Sequence, residues 1–528
     1  MGIPELREQI EACEEIEPLA KLAEDHYKNE TTKGQPFKVA IEAADWSFHN
    51  VSPEKVKQIR KYEPAANPIE KEIFRRICRL LTSNIRPVYV FDGANVPPKR
   101  GWTAGRIVNS KGQALLKQIL DGLGVPYIEA LGEAEAECCR LQVLKLVDAV
   151  WSMDSDCLMF GCTLWIRDYR RAKDASKTSK SNGDTEKDKK VVRVVRAERL
   201  QAKFGLKREG CVLFAMLAGG DYGNGLLGCG RKTVLEVARA GLGLSLCTAR
   251  NQADCKRWRG RLLIFFAKKS IKIPVPENYP RFELLQWYNN PMTHSDDFLR
   301  QHAAQNMHYE MPVQESELLQ SALPTLNMTR LPYLRHVGPV LLSQYIAGLS
   351  GSLPPENVYD IKLKNTRTSL YPSLEGQIFP VLERTFTFCR NDLTSIPPVR
   401  FDNWEAFKAK NQSAPYDSTC RVECDMPVFL LEKVLSVDVL HPSERSSMKR
   451  KNPEDPHNSP NTRPTVRKKN NGSAVSNKPF TTSDRFSHHR TNFAPTNAAN
   501  FKSSTPPIRR PNNSVLIGKH VEIIKISD

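Results

Sequence analysis

"VPYIEALGEAEAECCRLQVLKLV", residues 125 to 147, changes its period halfway along. "VPYIEA" (125–130) is a short, continuous apolar run, as expected of a strand buried on both faces. From 134 to 147 the pattern turns helical. At the join stand Glu133, Glu135 and Glu137, two apart, with small residues between them and two cysteines after. The stretches around it repeat this strand-then-helix rhythm. "FKVAIEAADW" (37–46), "PVYVFDG" (87–93), "DAVWSM" (148–153), "CTLWI" (162–166) and "VVRVV" (191–195) read as further strands, with helices over 68–84 and 104–123. The pattern predicts an α/β fold, a mostly parallel twisted sheet with helices on both faces.

Such sheets place their reactive groups at the carboxyl ends of the strands. Asp45 is predicted to end the first strand and Asp92 the second; Glu133 and Glu135 follow the third, and Asp154 and Asp156 the fourth. Asp221, in "LAGGDYGNG" (217–225), joins them. A single acid at such a position is ordinarily a helix cap. A converging set is different, because two like charges 4 Å apart repel by ~4 kcal/mol at an effective dielectric constant of ~20 unless a cation intervenes. Oxygen ligands without histidine or thiolate suit Mg²⁺ or Mn²⁺. Two such ions ~3.5–4 Å apart activate a water and stabilise the leaving oxygen of a phosphodiester.

The rest of the composition agrees. Among 528 residues, 77 Lys+Arg against 59 Asp+Glu leave a formal charge of +18, which favours a polyanionic partner. Lys99, Arg100 and Arg106 in "DGANVPPKRGWTAGR" (92–106) follow Asp92 closely enough to reach a phosphate held at the acids. "GLLGCGRKTVLEVARAG" (225–241) reads as the turn and second helix of a helix-hairpin-helix at about 210–242. Gly228 and Gly230 let the backbone approach a phosphate, and Arg231, Lys232 and Thr233 open the next helix beside it. The 13 cysteines form neither zinc-site spacing nor a disulfide framework, and are expected to be reduced and mostly buried. No apolar run approaches the ~18 residues of a membrane span, so no membrane partner is expected and the compartment is cytosol or nucleus.

Taken in order, "MGI" at Gly2, "DW" at Asp45, "YVFDG" at Asp92, "GEAEAEC" at Glu133 and Glu135, "MDSDCLMFG" at Asp154 and Asp156, and "LAGGDYGNGLLGCGRKT" at Asp221 resemble the XPG/flap-endonuclease superfamily over roughly residues 1–245. The resemblance implies a PIN-like fold and hydrolysis with two Mg²⁺ ions, Mn²⁺ substituting, that leaves a 5′-phosphate and a 3′-hydroxyl. It implies metal and catalytic roles for the seven acids, catalytic roles for Lys99 and Arg106, and DNA contacts from Gly2, Lys99, Arg100, Arg106 and the hairpin. A K⁺ ion at the helix-hairpin-helix completes the expected cofactors.

Only 40 residues (93–132) separate Asp92 from Glu133. Flap endonucleases carry a longer helical cap there, through which a free 5′ end threads. The chain is therefore most similar to the Gen/Yen class, which resolves four-way (Holliday) junctions by paired symmetric nicks. Two copies are expected to act on one junction, and 5′ flaps to be cut as well; a 5′-flap endonuclease of replication or repair is the alternative, and a catalytically dead DNA-binding scaffold a more distant one.

The expected organisation is a nuclease core over 1–245 with a flexible insertion at 167–190, a helical continuation over 246–355, a small β-rich chromodomain-like module over 358–440, and a disordered basic tail over 443–528. That tail holds 16 basic and 6 acidic residues. Lys449, Arg450 and Lys451 with Arg467, Lys468 and Lys469 suit a bipartite import signal, so the nucleus is the expected location. Ser459 and Thr505, each before a proline, are expected phosphorylation sites. Val521, Ile523, Ile524 and Ile526 in "VEIIKISD" resemble a SUMO-interacting motif.

Overall fold

A computed structural model describes residues 3–49, 51–100, 110–169, 190–307, 311–328, 330–349, 360–364, 381–389, 393–395 and 421–441, all within one compact unit, Met1–Lys451. The expected import signal, phosphorylation sites and SUMO-interacting segment lie outside the described residues, as do Gly2 and Arg106.

Seven strands form the main sheet: β1 (Glu14–Pro18), β2 (Phe37–Glu42), β3 (Ile85–Phe91), β4 (Tyr127–Glu129), β5 (Ala149–Trp151), β6 (Leu164–Asp168) and β7 (Val191–Arg196), in the order β1-β7-β6-β5-β2-β3-β4. The pairings β2–β3, β2–β5, β3–β4 and β5–β6 are parallel, while β6–β7 and β1–β7 are antiparallel. The mostly parallel sheet is as expected. Its central strands alternate faces with period 2. Phe37, Val39 and Ile41 of β2 join one apolar cluster with the helices Pro68–Thr82, Ser110–Leu123 and Arg330–Gly348. Ala40, Val88 and Val90 join the other, against the helices Ala134–Val143 and Arg208–Ala218. With both faces covered, the carboxyl ends of the strands are the edge where such a sheet places a polar site.

Three boundaries differ from expectation. The first strand stops at Glu42, because the Ala-Ala pair that follows favours a helix and opens Ala43–His49, so Asp45 lies in the first turn of that helix. Trp46 on the same helix is buried edge-on against Trp151 (5.4 Å) and Tyr89 (5.5 Å), with the Arg76 guanidinium 3.7 Å over its ring. The insertion does not begin at 167: Arg167 and Asp168 complete β6, and Asp168 pairs with Arg76 and accepts a hydrogen bond from Trp151 Nε1 (3.0 Å). Nor does it extend to 190, since Lys190 pairs with Glu383 (3.0 Å) and Asp425 (2.7 Å). Residues 170–189 lie outside the described residues.

The helical continuation is present as Gln252–Lys268, Phe282–Asn289, Asp296–Asn306 and Arg330–Gly348. Beyond it, β8 (Lys362–Leu363), β9 (Glu383–Phe388) and β10 (Val422–Pro427) form an antiparallel three-stranded sheet followed by the short helix Val428–Leu431. Phe386, Phe388, Met426 and Phe429 join the same apolar cluster as Arg330–Gly348, and Phe429 meets Tyr27 at 4.8 Å. This small sheet therefore braces the main one. No helix among the described residues is long and apolar enough to cross a membrane, and the twelve described cysteines are free, nine of them buried.

Candidate active site

Asp92, Glu133, Glu135, Asp154 and Asp156 follow β3, β4 and β5 at the carboxyl edge, and Asp221 joins them from the loop after the helix Arg208–Ala218. Asp92 directly follows β3, and its Oδ1 accepts the Ala134 N–H (3.1 Å) at the start of the helix Ala134–Val143. Glu133 takes the N-cap position of that helix without a side-chain bond to it, and Glu135 lies in its first turn. Asp154 caps the single turn Ser155–Leu158 after β5 and accepts the Asp156 N–H (3.0 Å). The start of the chain is held against the same turn, because Ile3 N donates to Ser155 Oγ (3.1 Å).

Lys99 sits at the centre. Its ammonium is 2.8 Å from Glu133, 3.0 Å from Glu135 and 3.3 Å from Asp221. Burial alone would lower its pKa, but the carboxylates of Glu135, Glu133 and Asp154 outweigh that effect and hold the amine charged, above the ordinary lysine range. The loop carrying it is docked in two places: Arg100 N donates to the Asp221 carbonyl (2.7 Å), and the Arg100 guanidinium donates to Asn224 Oδ1 (2.8 Å). Arg100 thus positions its neighbour as well as presenting charge.

Two residues escaped the sequence reading. Glu42, the last residue of β2, is 94% buried, and its Oε2 accepts the Ser152 hydroxyl proton (2.7 Å). Desolvation, then the fields of Glu135, Asp45 and Asp154, push its carboxyl well above the usual range, so it belongs to the cluster. Asp45 is buried too, but it accepts the Met153 N–H and so ties its helix to the end of β5. The missed signal was the first acid after the apolar run "FKVAI". Tyr222 is the second: its hydroxyl donates to Glu133 Oε2, and its ring packs against Trp287 (5.2 Å) and Tyr288 (4.7 Å). Glu137, by contrast, turns away from the cluster to His294 (3.3 Å).

The donor set fits a hard divalent cation in chemistry and charge. Asp156 is 99% buried, yet neither of its carboxylate oxygens has a hydrogen-bond partner. Burial, then Asp154 and Asp221, drive its carboxyl far above the ordinary range. Among the described residues no three His, Cys, Asp or Glu side chains are spaced to grip a metal directly, and at the centre of Glu133, Glu135 and Asp221 the lysine ammonium fills the position a cation would take.

A pH dependence follows. Desolvation, then Glu135, raises Glu133 from 4.5 to about 7 and Asp154 from 3.8 to about 6. These acids hold protons in the folded chain that the unfolded chain releases, so their stabilisation is full below about pH 4 and lost as pH rises through 6 to 7. In EDTA the melting temperature is expected to fall by roughly 5 °C from pH 5 to pH 7.5, and Mg²⁺ to restore it at pH 7.5. A flat profile in EDTA would contradict the clustering.

The hairpin runs from Arg208–Ala218 through a glycine turn to Arg231–Arg239. Gly225 has φ +67°, and a Cβ there would lie 2.4 Å from Gly219 N, whereas one on Gly228 (φ +81°) would meet nothing within 4 Å. Leu227 beside it is 88% exposed. Gly225→Ala is expected to destabilise the fold by about 2–3 kcal/mol and to cost activity through Asp221. Gly228→Ala should cost only about 1 kcal/mol of stability while weakening DNA binding; calorimetry and a binding titration separate the two. The expected phosphate contacts divide: Lys232 is exposed, but the Arg231 N–H donates to Glu5 Oε2 (3.1 Å) and its side chain pairs with Glu8. A carboxylate thus already lies at the helix start where a phosphate would bind.

Comparison with known proteins places this geometry. The XPG N-terminal domain profile matches residues 1–112 and the XPG I-region profile residues 124–221. Flap endonuclease 1 of Picrophilus torridus is 27% identical over 203 residues, 32% of this chain and 57% of that protein. Holliday junction resolvase YEN1 of Saccharomyces cerevisiae is 33% identical over 133 residues, 24% of this chain and 18% of that protein. The chain spans about half the length of the curated flap endonucleases it matches. Among solved structures, the eukaryotic junction-resolving enzyme GEN-1 binding with caesium superposes with a TM-score of 0.64 at 25% identity, covering 84% of this chain and 99% of that one. The Holliday junction-resolving enzyme GEN1 in complex with product DNA and Mg²⁺ does so at 0.61, with 25% identity and the same coverage.

Proposed function

We propose, from the premise that the chain belongs to the XPG/flap-endonuclease superfamily, that it is a Mg²⁺-dependent structure-specific DNA endonuclease that resolves four-way junctions by paired symmetric nicks. The observation that carries this is the cluster of carboxylates at the carboxyl edge of the sheet, with Glu133, Glu135 and Asp221 paired to the Lys99 ammonium and the buried Asp154 near it. Glu42, Asp92, Glu133, Glu135, Asp154, Asp156 and Asp221 would hold the divalent ions. When bound, these supply positive charge for the phosphodiester and lower the pKa of the attacking water.

The protein's own groups do the rest. Lys99 neutralises the pocket until DNA arrives, then turns its ammonium from the carboxylates to the phosphate. Ser152 orients Glu42 and Tyr222 orients Glu133, so neither carboxylate needs to reorganise during the reaction. The Tyr222–Trp287–Tyr288 packing excludes water from one side. The hairpin, whose turn would hold a K⁺ ion, and the basic residues Lys99, Arg100 and Arg106 would contact the backbone. With Gly2, these contacts read shape rather than sequence.

Junction resolution is preferred over flap cleavage because of what stands between Asp92 and Glu133. The helix Ser110–Leu123 is committed to the core through Leu115, Leu116, Ile119 and Leu120. In sequence only residues 93–109 then separate Asp92 from that helix, a shorter stretch than the helical cap of flap endonucleases. Similarity to flap endonucleases keeps 5′ flaps as a second substrate. One nuclease core makes one nick, so two copies act on each junction, in the nucleus, and the chromodomain-like sheet braces that core. The test is whether Mg²⁺-dependent nicks in a synthetic junction are resealed by DNA ligase alone, as a 5′-phosphate beside a 3′-hydroxyl requires. Nicks that ligase cannot reseal would reject this chemistry.

A further inference from the structure

The helix Gln252–Lys268 is anchored on one side and exposed on the other. Cys255, Trp258, Leu262 and Phe266 are buried, and Trp258 Nε1 donates to the Leu242 carbonyl (2.8 Å), so the helix presents a fixed outer face. That face shows Lys256, Arg257, Arg261 and Lys268, with Leu263 and Ile264 between them. The one acid of the helix, Asp254, lies at its start and pairs with Arg250 (3.7 Å) and Arg257. Among the described residues Lys256, Arg261 and Lys268 have no ion pair. A helix that only shields a core gains by alternating charge at i and i+4, whereas Arg257 and Arg261 repel at that spacing. The repulsion points to an anionic partner, and it disfavours a second copy of the chain packing on this face.

The face is continuous with the hairpin. Lys269, next after the helix, pairs with Glu236 (3.8 Å) on the hairpin's second helix, Arg231–Arg239. Lys232 and Arg239, four residues before Glu236 and three after it, lie on the same exposed side. A row of cations thus runs from the start of that helix, past Lys269, and along Gln252–Lys268. From Lys268 to Lys256 it covers about 18 Å, room for about five phosphates of one duplex strand. Gly260, in the middle of the face, leaves open space above the backbone, since a Cβ there would meet nothing within 4 Å. We propose that this face is a second backbone-binding track, which holds the duplex arm gripped by the hairpin over roughly a further half-turn. The inference rests on the reading of the chain as a branched-DNA nuclease, and it adds grip on an arm rather than chemistry at the nick.

The full chain carrying Lys256→Gln, Arg261→Gln and Lys268→Gln together tests this. All three side chains are exposed, so the variant is expected to melt with the wild type. Titrated against a synthetic four-way junction with arms of about 25 bp in about 0.1 M salt, it should bind about 10- to 100-fold more weakly, with a slope of log affinity against log salt shallower by about 3. Arms cut to about 10 bp, one duplex turn, fill the hairpin but not the track, and on these the two proteins should bind alike. Equal affinity and slope on the long arms, or the same deficit at both lengths, would overturn the track and leave the nuclease reading standing. A wild type that binds neither junction would overturn both. Should the variant not fold, acetylation of the wild type decides: the long-armed junction is expected to protect Lys256 and Lys268, and unchanged labelling would overturn the proposal.

Discussion

Glu42→Gln is expected to lower Mg²⁺-dependent cleavage of branched DNA by ~10³-fold or more while leaving DNA affinity within about twofold. The amide is isosteric and keeps the Ser152 hydrogen bond, so the fold has no reason to change. What disappears is a negative charge at the end of the central strand, among Glu135, Asp45 and Asp154. The same change should raise the melting temperature in EDTA at pH 7.5, because the amide is neutral at every pH and the fold no longer has to hold a proton on a buried carboxyl or tolerate its charge. Loss of activity together with gain of metal-free stability marks a charge kept for function. Asp45→Asn should be milder, since that carboxylate is engaged with the Met153 N–H. Kinetics and melting curves on the two variants check the ranking; equal activity in Glu42→Gln and wild type would remove Glu42 from the site.

Lys99→Met makes the opposite trade. It removes the cation 2.8–3.3 Å from three carboxylates. Three acids buried without their lysine repel, so the metal-free protein should melt several degrees lower and take up protons at higher pH. Saturating Mg²⁺ should recover the stability but not the rate, which is expected to stay ~10²–10³-fold down for want of a donor to the transition-state phosphate. If Mg²⁺ restored both, Lys99 would be only a placeholder for the metal.

The sequence was most informative where one physical requirement dominates. Central parallel strands are buried on both faces, so "FKVAI" and "PVYVF" could hardly be anything else. Of the hairpin glycines that the sequence singles out, Gly228 takes φ +81° with open space around it, whereas the one that tolerates no Cβ, Gly225, carries no such signal. The edge was not legible either. β1, "EEIEP", looks like a solvated acidic stretch, yet it pairs with β7 because Glu14 meets Arg167 and Arg193 and Glu17 meets Arg196, at distances of 2.6 to 2.9 Å. Partners 150 or more residues away leave no local pattern. The Lys99 ion triad was hidden for the same reason: proximity to Asp92 in sequence suggested a phosphate contact, whereas the fold turns the ammonium onto the acids. Glu42 is not evident in the sequence as the strand's terminal acid, because two alanines extend an apolar run without saying whether the backbone is still extended. A helix start there moves the strand's terminal acid by three residues and changes which carboxylate faces the cluster.

Cleavage of a four-way junction with no free 5′ end, a cruciform extruded from a closed circular plasmid, tests the proposed activity most directly. In Mg²⁺ the chain is expected to linearise the circle by two opposed nicks within one binding event, with nicked circles scarcely accumulating and with two protomers bound per cruciform. A chain that cuts 5′ flaps efficiently but leaves the closed cruciform intact would contradict it.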